Sequence, residues 1–310
     1  MENKIFECAI RTNNLTKVYG GAERVSDVSM SVGRGEIYGL IGKNGAGKTT
    51  LIRMILGIAT STRGNVELNG KSSPSELSRE RRKIGALIEQ PAFYPAMTAY
   101  DNVKTVALSM GCFDKNKAEE LLSFVGLDPK DKKKVKNFSL GMKQRLAIAV
   151  ALIDDPEILF LDEPLNGLDP TGILQMREQI RKLNEERGVT VIISSHLLGE
   201  LGKVATAYGI MKDGKLVREI RGEELQSMSR PHIKAVVADT AKAMQVLSQA
   251  YSPEEFSVKQ NGTVEVYKSA DELAAVTEIL IKAGIPVLQL TVEQGDTEEA
   301  FIAIMQEDAR

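Results

Sequence analysis

The stretch "GKNGAGKTT", residues 42–50, constrains this chain more than any other. It fits G-x-x-x-x-G-K-[ST] in full, as Gly42, Lys43, Asn44, Gly45, Ala46, Gly47, Lys48 and Thr49, with Thr50 following. The apolar run "EIYGLIG" (36–42) leads into it and the helical pattern "KTTLIRMILGI" leads out. Strand, glycine-rich loop and helix in that order are the setting this pattern needs. The glycines let backbone N–H groups curl around phosphate oxygens, and the helix start adds positive potential. Lys48 is placed to reach β- and γ-phosphates, and Thr49 to offer a hydroxyl to Mg²⁺. A glycine-rich turn with an incidental lysine is the bland alternative, and it is remote with all the parts in register.

The run "ILFLDEP" (158–164) supplies the other half of a nucleotide site. Its apolar residues bury a strand, and two carboxylates follow at the C-terminal end, where ligands of such sheets bind. Asp162 suits a Mg²⁺ shell. Glu163, next along, suits a general base for an attacking water. A solvated strand-end residue is the rival reading of Glu163, and it ranks below the catalytic one.

These two runs belong to a longer alternation. "EIYGLIG", "KIGALIE" (83–89), "PEILFLDEP" (156–164) and "VTVIISSH" (189–196) read as buried strands of a largely parallel sheet. The helical patterns "KTTLIRMILGI", "DNVKTVALSMG", "NKAEELLSFVG", "ILQMREQIRKLNEER" and "LLGELGKVA" lie between or after them. The layout is α/β, with helices on both faces. The tail changes character. A strand at 233–239, a helix at 241–251, a hairpin at 256–268 turning on Asn261-Gly262, a helix at 271–284 and a strand at 285–293 give the order β-α-β-β-α-β. That order predicts a small α+β ferredoxin-like domain, with a last helix from Thr297. The boundary is expected near Ser229-Arg230-Pro231, giving domains at 1–228 and 229–310, with a helical subdomain at about 90–155 in the first.

Composition removes other classes. The net charge of −2 gives no bulk reason to bind nucleic acid. The two cysteines, Cys8 and Cys112, lie far apart, so neither a disulfide framework nor a cysteine metal site is expected. With only His196 and His232, a histidine-rich metal site is excluded, and His232 beside Pro231 is expected in a linker. The opening "MENKIFECAI" does not read as a signal peptide. The longest apolar run, "LAIAVALI" (146–153), is far short of the about 20 residues a membrane span needs. By its own sequence the protein is expected to be soluble, with any membrane role arising through a partner.

A second anion site is suggested by "NFSLGMKQR" (137–145), where Ser139 and Gly141 stand directly ahead of "LAIAVALI". Alone, this reads best as an ordinary serine N-cap. With "GKNGAGKTT" and "ILFLDEP" it makes the chain, over roughly residues 4–225, resemble the ATP-binding subunits of ABC transporters, a P-loop NTPase family. "FSLGMKQR" takes the place of the family signature Leu-Ser-Gly-Gly-Gln, with Leu140 and Met142 as departures. The resemblance implies ATP and Mg²⁺ as cofactors. It also implies a homodimer paired head to tail, in which the signature of one subunit closes over the γ-phosphate held by the P-loop of the other.

Further roles follow from the resemblance alone. Tyr19 in "LTKVYGG" falls where a ring stacks on adenine. Asp169 in "NGLDP" (166–170) falls in a loop contacting the opposite site, and His196 where a histidine meets the γ-phosphate. In "GALIEQPAFYP" (85–95) the family's glutamine slot holds Glu89, with Gln90 beside it. Glu89 would then join Thr49 and Asp162 around Mg²⁺, which prefers oxygen ligands. The loop from Glu89 to about Asp101 would meet an integral-membrane permease. "FSLGMKQR", Glu89 and the tail together are similar to bacitracin and lantibiotic self-protection exporters. They imply an ATPase of peptide-antibiotic export, peripheral on the cytoplasmic face of the membrane; the small domain, which carries no catalytic constellation, is expected to serve regulation or dimer contact. Export of another drug, ion or lipid is the alternative, and a soluble non-transport ABC ATPase a weaker one. The basic runs at 78–85 and 130–137 read as solvated surface, with contact to anionic headgroups a minority reading.

Overall fold

The structure, a computed structural model, describes residues 8–89, 92–229, 231–259, 262–293, 297, 298, 300, 301 and 304. The chain divides into two units, Met1–Gly222 and Glu223–Arg310. In chain order the first unit contains β1 (Cys8–Tyr19), β2 (Ala22–Gly33), β3 (Ile37–Ile41), α1 (Lys48–Ile55), β4 (Arg63–Leu68), α2 (Pro74–Arg81) and β5 (Ile84–Leu87). There follow α3 (Ala99–Met110), α4 (Lys115–Phe124), α5 (Leu140–Ala151), β6 (Ile158–Asp162), α6 (Pro170–Arg187), β7 (Thr190–Ser195), α7 (Leu198–Leu201), β8 (Ala207–Lys212) and β9 (Lys215–Arg221). From the junction onward come α8 (Gly222–Met228), β10 (His232–Val237), α9 (Thr240–Ala250), β11 (Phe256–Val258), β12 (Thr263–Val266), α10 (Leu273–Lys282) and β13 (Val287–Glu293).

The main sheet runs β5-β6-β7-β3-β8-β9, parallel except for β9. Every residue of β3, β6 and β7 is buried. That is why their sequences are continuous apolar runs: a parallel sheet is covered on both faces, and no position is left for solvent. The expected strands all form, each trimmed by a residue or two at its ends. "LLGELGKVA" gives only the single turn of α7, because Gly199 and Gly202 interrupt it and glycine is a poor helix former.

A second sheet, β2-β1-β4, is antiparallel and was not visible in the periodicity. Its pairing shifts register repeatedly between Thr12 and Val18, and Asn14 and Asp27 adopt positive φ there. Each shift turns the next residues to the other face and erases the alternation of period two. Helix α1 is wedged into the core formed by both sheets. Its Leu51, Ile52, Met54 and Ile55 join one cluster with Ile10, Leu15, Val28 and Leu68 and with Tyr38 and Phe160. Burying four such side chains stabilises the helix by roughly 1.5–3 kcal/mol each. That packing fixes where the start of α1 points.

Helices α3, α4 and α5 pack on one another, and Gln179 of α6 donates to Val125 O at 2.9 Å at the end of α4. Gln144 of α5 donates to Asn166 O at 3.2 Å, which places α5 beside the loop that follows β6.

The second unit has the order β-α-β-β-α-β in β10 to β13, with an antiparallel sheet β11-β12-β10-β13. Its own core includes Ile233, Ala235, Leu247, Val264, Val266, Val276 and Leu280. The division between the units falls after Gly222, the first residue of α8, so the expected junction at Ser229–Pro231 lies inside the second unit, and Arg230 is outside the described residues. His232 is not in a linker. It opens β10, with Nε2 3.1 Å from Glu293 Oε2 and its ring edge-on to Tyr267. Asn261 of the expected turn lies outside the described residues. The helix expected from Thr297 is described only at separate positions. Cys8 and Cys112 are both free thiols.

Candidate active site

The C-terminal ends of β3, β6 and β7 meet the start of α1, and Lys48, Asp162, Glu163 and His196 converge there. Gly47 caps α1 at φ +102 with no side-chain cap, and a Cβ on it would sit 2.7 Å from Arg24 O. Glycine is therefore required twice over, by conformation and by space. With no capping side chain, the first N–H groups of α1 remain directed at whatever anion enters. The loop, Arg24 and Glu163 line a hollow of about 290 Å³.

Lys48 is buried, at 6% exposure. A buried ammonium needs oxygen around it, and it has three: Gly42 O at 2.6 Å, Lys43 O at 3.4 Å and Glu163 Oε1 at 3.0 Å. Glu163 itself sits at φ +51, just past the end of β6. Its backbone N–H donates to Ser194 Oγ at 2.9 Å, which fixes the bend. Its Oε2 lies 2.8 Å from His196 Nδ1. Its Oε1 meets Lys48 at ion-pair distance but accepts no aligned hydrogen bond. The proposed base thus holds one oxygen on a histidine and the other beside the lysine of the phosphate cradle.

One residue earlier, Asp162 faces a different set. Thr49 Oγ1 donates to Asp162 Oδ2 at 2.8 Å, and Ser194 Oγ donates to Oδ1 at 2.5 Å. A hydroxyl and a carboxylate side by side at the end of the cradle form an all-oxygen donor set. That suits Mg²⁺, which takes one or two protein oxygens and completes its shell with phosphate and water. Ser194 was missed in the sequence, though a serine closing the apolar run "VTVIISS" beside the Asp162 strand was the available signal.

Glu89 stands apart from this pair. Its carboxylate is 2.5 Å from the Arg53 guanidinium, in the last turn of α1, and its backbone is at φ +58. Gln90 lies outside the described residues. Tyr19 is 46% exposed at the end of β1, with Lys17 Nζ 4.7 Å above its ring.

The second helix start is built differently. Ser139 Oγ accepts the Met142 N–H at 3.2 Å as the N-cap of α5. Its hydroxyl proton is left to donate elsewhere. Asp169 Oδ1 accepts the Gly172 N–H at 2.9 Å and caps α6. Both capped starts, with Gly141 and Leu140, line a hollow of about 360 Å³. Within this chain Ser139 and Gly141 are not brought to the Lys48–Glu163 cluster.

The family model described as ABC transporter matches residues 25–166. A bacitracin transport ATP-binding protein, BcrA, of Bacillus licheniformis is 40% identical over 96% of this chain and 97% of its own length. The chain belongs to the ABC transporter ATP-binding family. A lantibiotic transport ATP-binding protein, SrtF, of Streptococcus pyogenes is 43% identical over 68% of this chain and 90% of its own length. Among solved structures, the dimeric ATP-binding cassette MJ0796 bound to ADP and Pi is 27% identical. It covers 68% of this chain and 98% of its own, with a TM-score of 0.61. This ABC protein is therefore the ATP-binding subunit of a transporter, hydrolysing ATP to drive transport, in a family that works with a separate membrane permease. Among its described residues no helix is long and apolar enough to cross a membrane.

Proposed function

We propose that this ABC subunit powers export of a peptide antibiotic of the bacitracin or lantibiotic kind through a separate permease, from the cytoplasmic face of the membrane. The observation that carries the catalytic part is the Lys48–Glu163–His196 cluster at the mouth of the phosphate cradle. ATP phosphates entering the cradle compete with Glu163 for Lys48. As the ammonium turns to the β- and γ-phosphates, Glu163 loses its cation and becomes available to accept a proton from the attacking water. His196 holds the Glu163 carboxylate in place through Oε2 while presenting its ring toward the γ-phosphate. Mg²⁺ bound by Thr49 and Asp162 would neutralise charge on the phosphates. Glu89 would join that metal shell only after leaving Arg53, which ties its position to nucleotide state. Tyr19 stacks on adenine, with Lys17 behind the ring.

Two such subunits would pair head to tail, each supplying Ser139, Gly141 and Asp169 to the ATP held by the other. The dimeric relative MJ0796 and the separation of the two helix starts within this chain support that arrangement. The loop from Glu89 to Asp101 meets the permease, and the second unit, with its ferredoxin-like element order, serves regulation or dimer contact.

The deciding experiment is Glu163→Gln in the full chain. ATP binding is expected to survive and an ATP-bound dimer to accumulate, while turnover falls by about 10²–10⁴. Turnover close to wild type removes Glu163 from the role. Co-expression with the permease, followed by survival on bacitracin and on a lantibiotic, tests the cargo.

A further inference from the structure

Helix α5 carries a buried polar side chain that packing alone does not explain. Gln144 is 9% exposed. Its Nε2 donates to Asn166 O at 3.2 Å, while its Oε1 is buried and accepts no hydrogen bond. A buried amide oxygen without a donor is costly, and an apolar side chain of similar length would fill the volume without that cost.

The carbonyl it holds belongs to the loop from Glu163 to Asp169. That loop meets α5 at two more points. Gly167 has φ +74, and a Cβ there would lie 2.8 Å from Leu140 Cδ2. A Cβ on Gly141 would lie 3.2 Å from Leu168 Cδ2. One end of the loop is Glu163, held by Lys48 and His196, and the other is Asp169, the cap of α6. The start of α5 is Ser139. A loop pinned at both ends and in the middle cannot shift without moving the helix start, because packed elements move as units.

We propose that Gln144 is a positioning residue that fastens the Glu163–Asp169 loop to α5, so that the positions of Ser139 and Glu163 are set together. Gln144 lines neither the cradle hollow nor the Ser139 hollow, so it acts through the loop it holds. Its open Oε1 gives the fastening a second state, in which a loop N–H reaches it when the loop is drawn toward a partner subunit. This rests on the head-to-tail reading, where Ser139 serves the partner's ATP and Glu163 its own. Turnover at one site then depends on closure at the other.

The test uses the full chain with Gln144→Met, which keeps length and removes both polar atoms. Thermal stability and ATP affinity are expected to match wild type. The value of kcat should fall about tenfold with little change in KM, the size of effect seen for coupling residues that touch no ligand. The Hill coefficient for ATP should fall from about 2 toward 1. Unchanged kcat and Hill coefficient overturn the proposal. So does a loss of stability or ATP affinity in step with kcat, since that marks a merely structural role. If Gln144→Met does not fold, Leu140→Ala is read in the same way, because Leu140, one turn earlier on the same face of α5, meets the same loop at Gly167. Glu163→Gln separates the two readings. If it forms no ATP-bound dimer, the head-to-tail arrangement fails. If it dimerises while Gln144→Met turns over as wild type, the Gln144 proposal fails alone.

Discussion

Helices α1 and α5 both begin where an anion is expected, and they begin in opposite ways. The start of α1 has no capping side chain, a glycine in the left-handed region, and a buried lysine one residue on. The start of α5 is capped by Ser139 and has no charged residue in its first turn beyond Lys143. Helix α3 marks the far limit. Thr98 and Asp101 form a reciprocal capping box there, so two N–H groups of the start are satisfied within it. Open, half-closed and closed starts thus occur in one unit. Under the proposed head-to-tail pairing, the difference assigns phosphate affinity to the uncapped start of α1, while α5 would add its bonds only to a phosphate already held by the partner.

The largest effect that sharpens this comparison comes from paired substitutions. Lys48→Ala removes about two charge-assisted hydrogen bonds to phosphate, at ~1.5 kcal/mol or more each, so the ATP Kd should rise at least about 100-fold. Ser139→Ala should leave the Kd of the single subunit within about twofold, because α5 makes no part of that subunit's own cradle. It loses an N-cap instead, about 1 kcal/mol, or a Tm lower by about 2–4 °C. Equilibrium binding with thermal melts distinguishes the two. Equal losses of ATP affinity would break the comparison.

The smallest effect belongs to α3. The hydrogen bond from the Thr98 hydroxyl holds the Asp101 carboxyl below its ordinary value of 3.8. A lowered folded value stabilises the fold above the unfolded value and loses that contribution as pH falls through the folded one. Asp101→Asn should therefore melt slightly lower than wild type at neutral pH, and the gap should close as pH drops below 3.8. ATP hydrolysis by the isolated subunit at neutral pH should stay close to wild type, since a self-capped start holds no phosphate.

Much of this was legible in the sequence for a physical reason. The strands β3, β6 and β7 are buried on both faces, so their apolar runs are unbroken, and the cradle residues are consecutive along the chain. What escaped depends on contacts between distant residues or on weak patterns. The β1–β2–β4 sheet escaped because its register shifts scramble the alternation. Helix α2 escaped because Leu77 is its one buried residue, leaving no apolar stripe. His232 sat beside a proline that suggested a linker, yet its partner Glu293 is brought from β13. The Arg53–Glu89 pair and the Gln144–Asn166 bond join residues 36 and 22 positions apart, and no local pattern announces either.

The central claim is that the open start and the half-closed start complete one site only across two chains. The most direct measurement mixes two inactive parents. On this account Lys48→Ala should abolish phosphate binding in its own cradle, and Ser139→Arg should block the phosphate held by the partner. A heterodimer of the two contains one site with both defects and one with neither. The account predicts that each parent hydrolyses almost no ATP, while the mixture recovers a substantial part of wild-type turnover once heterodimers form. Verified heterodimers without recovered hydrolysis would contradict it.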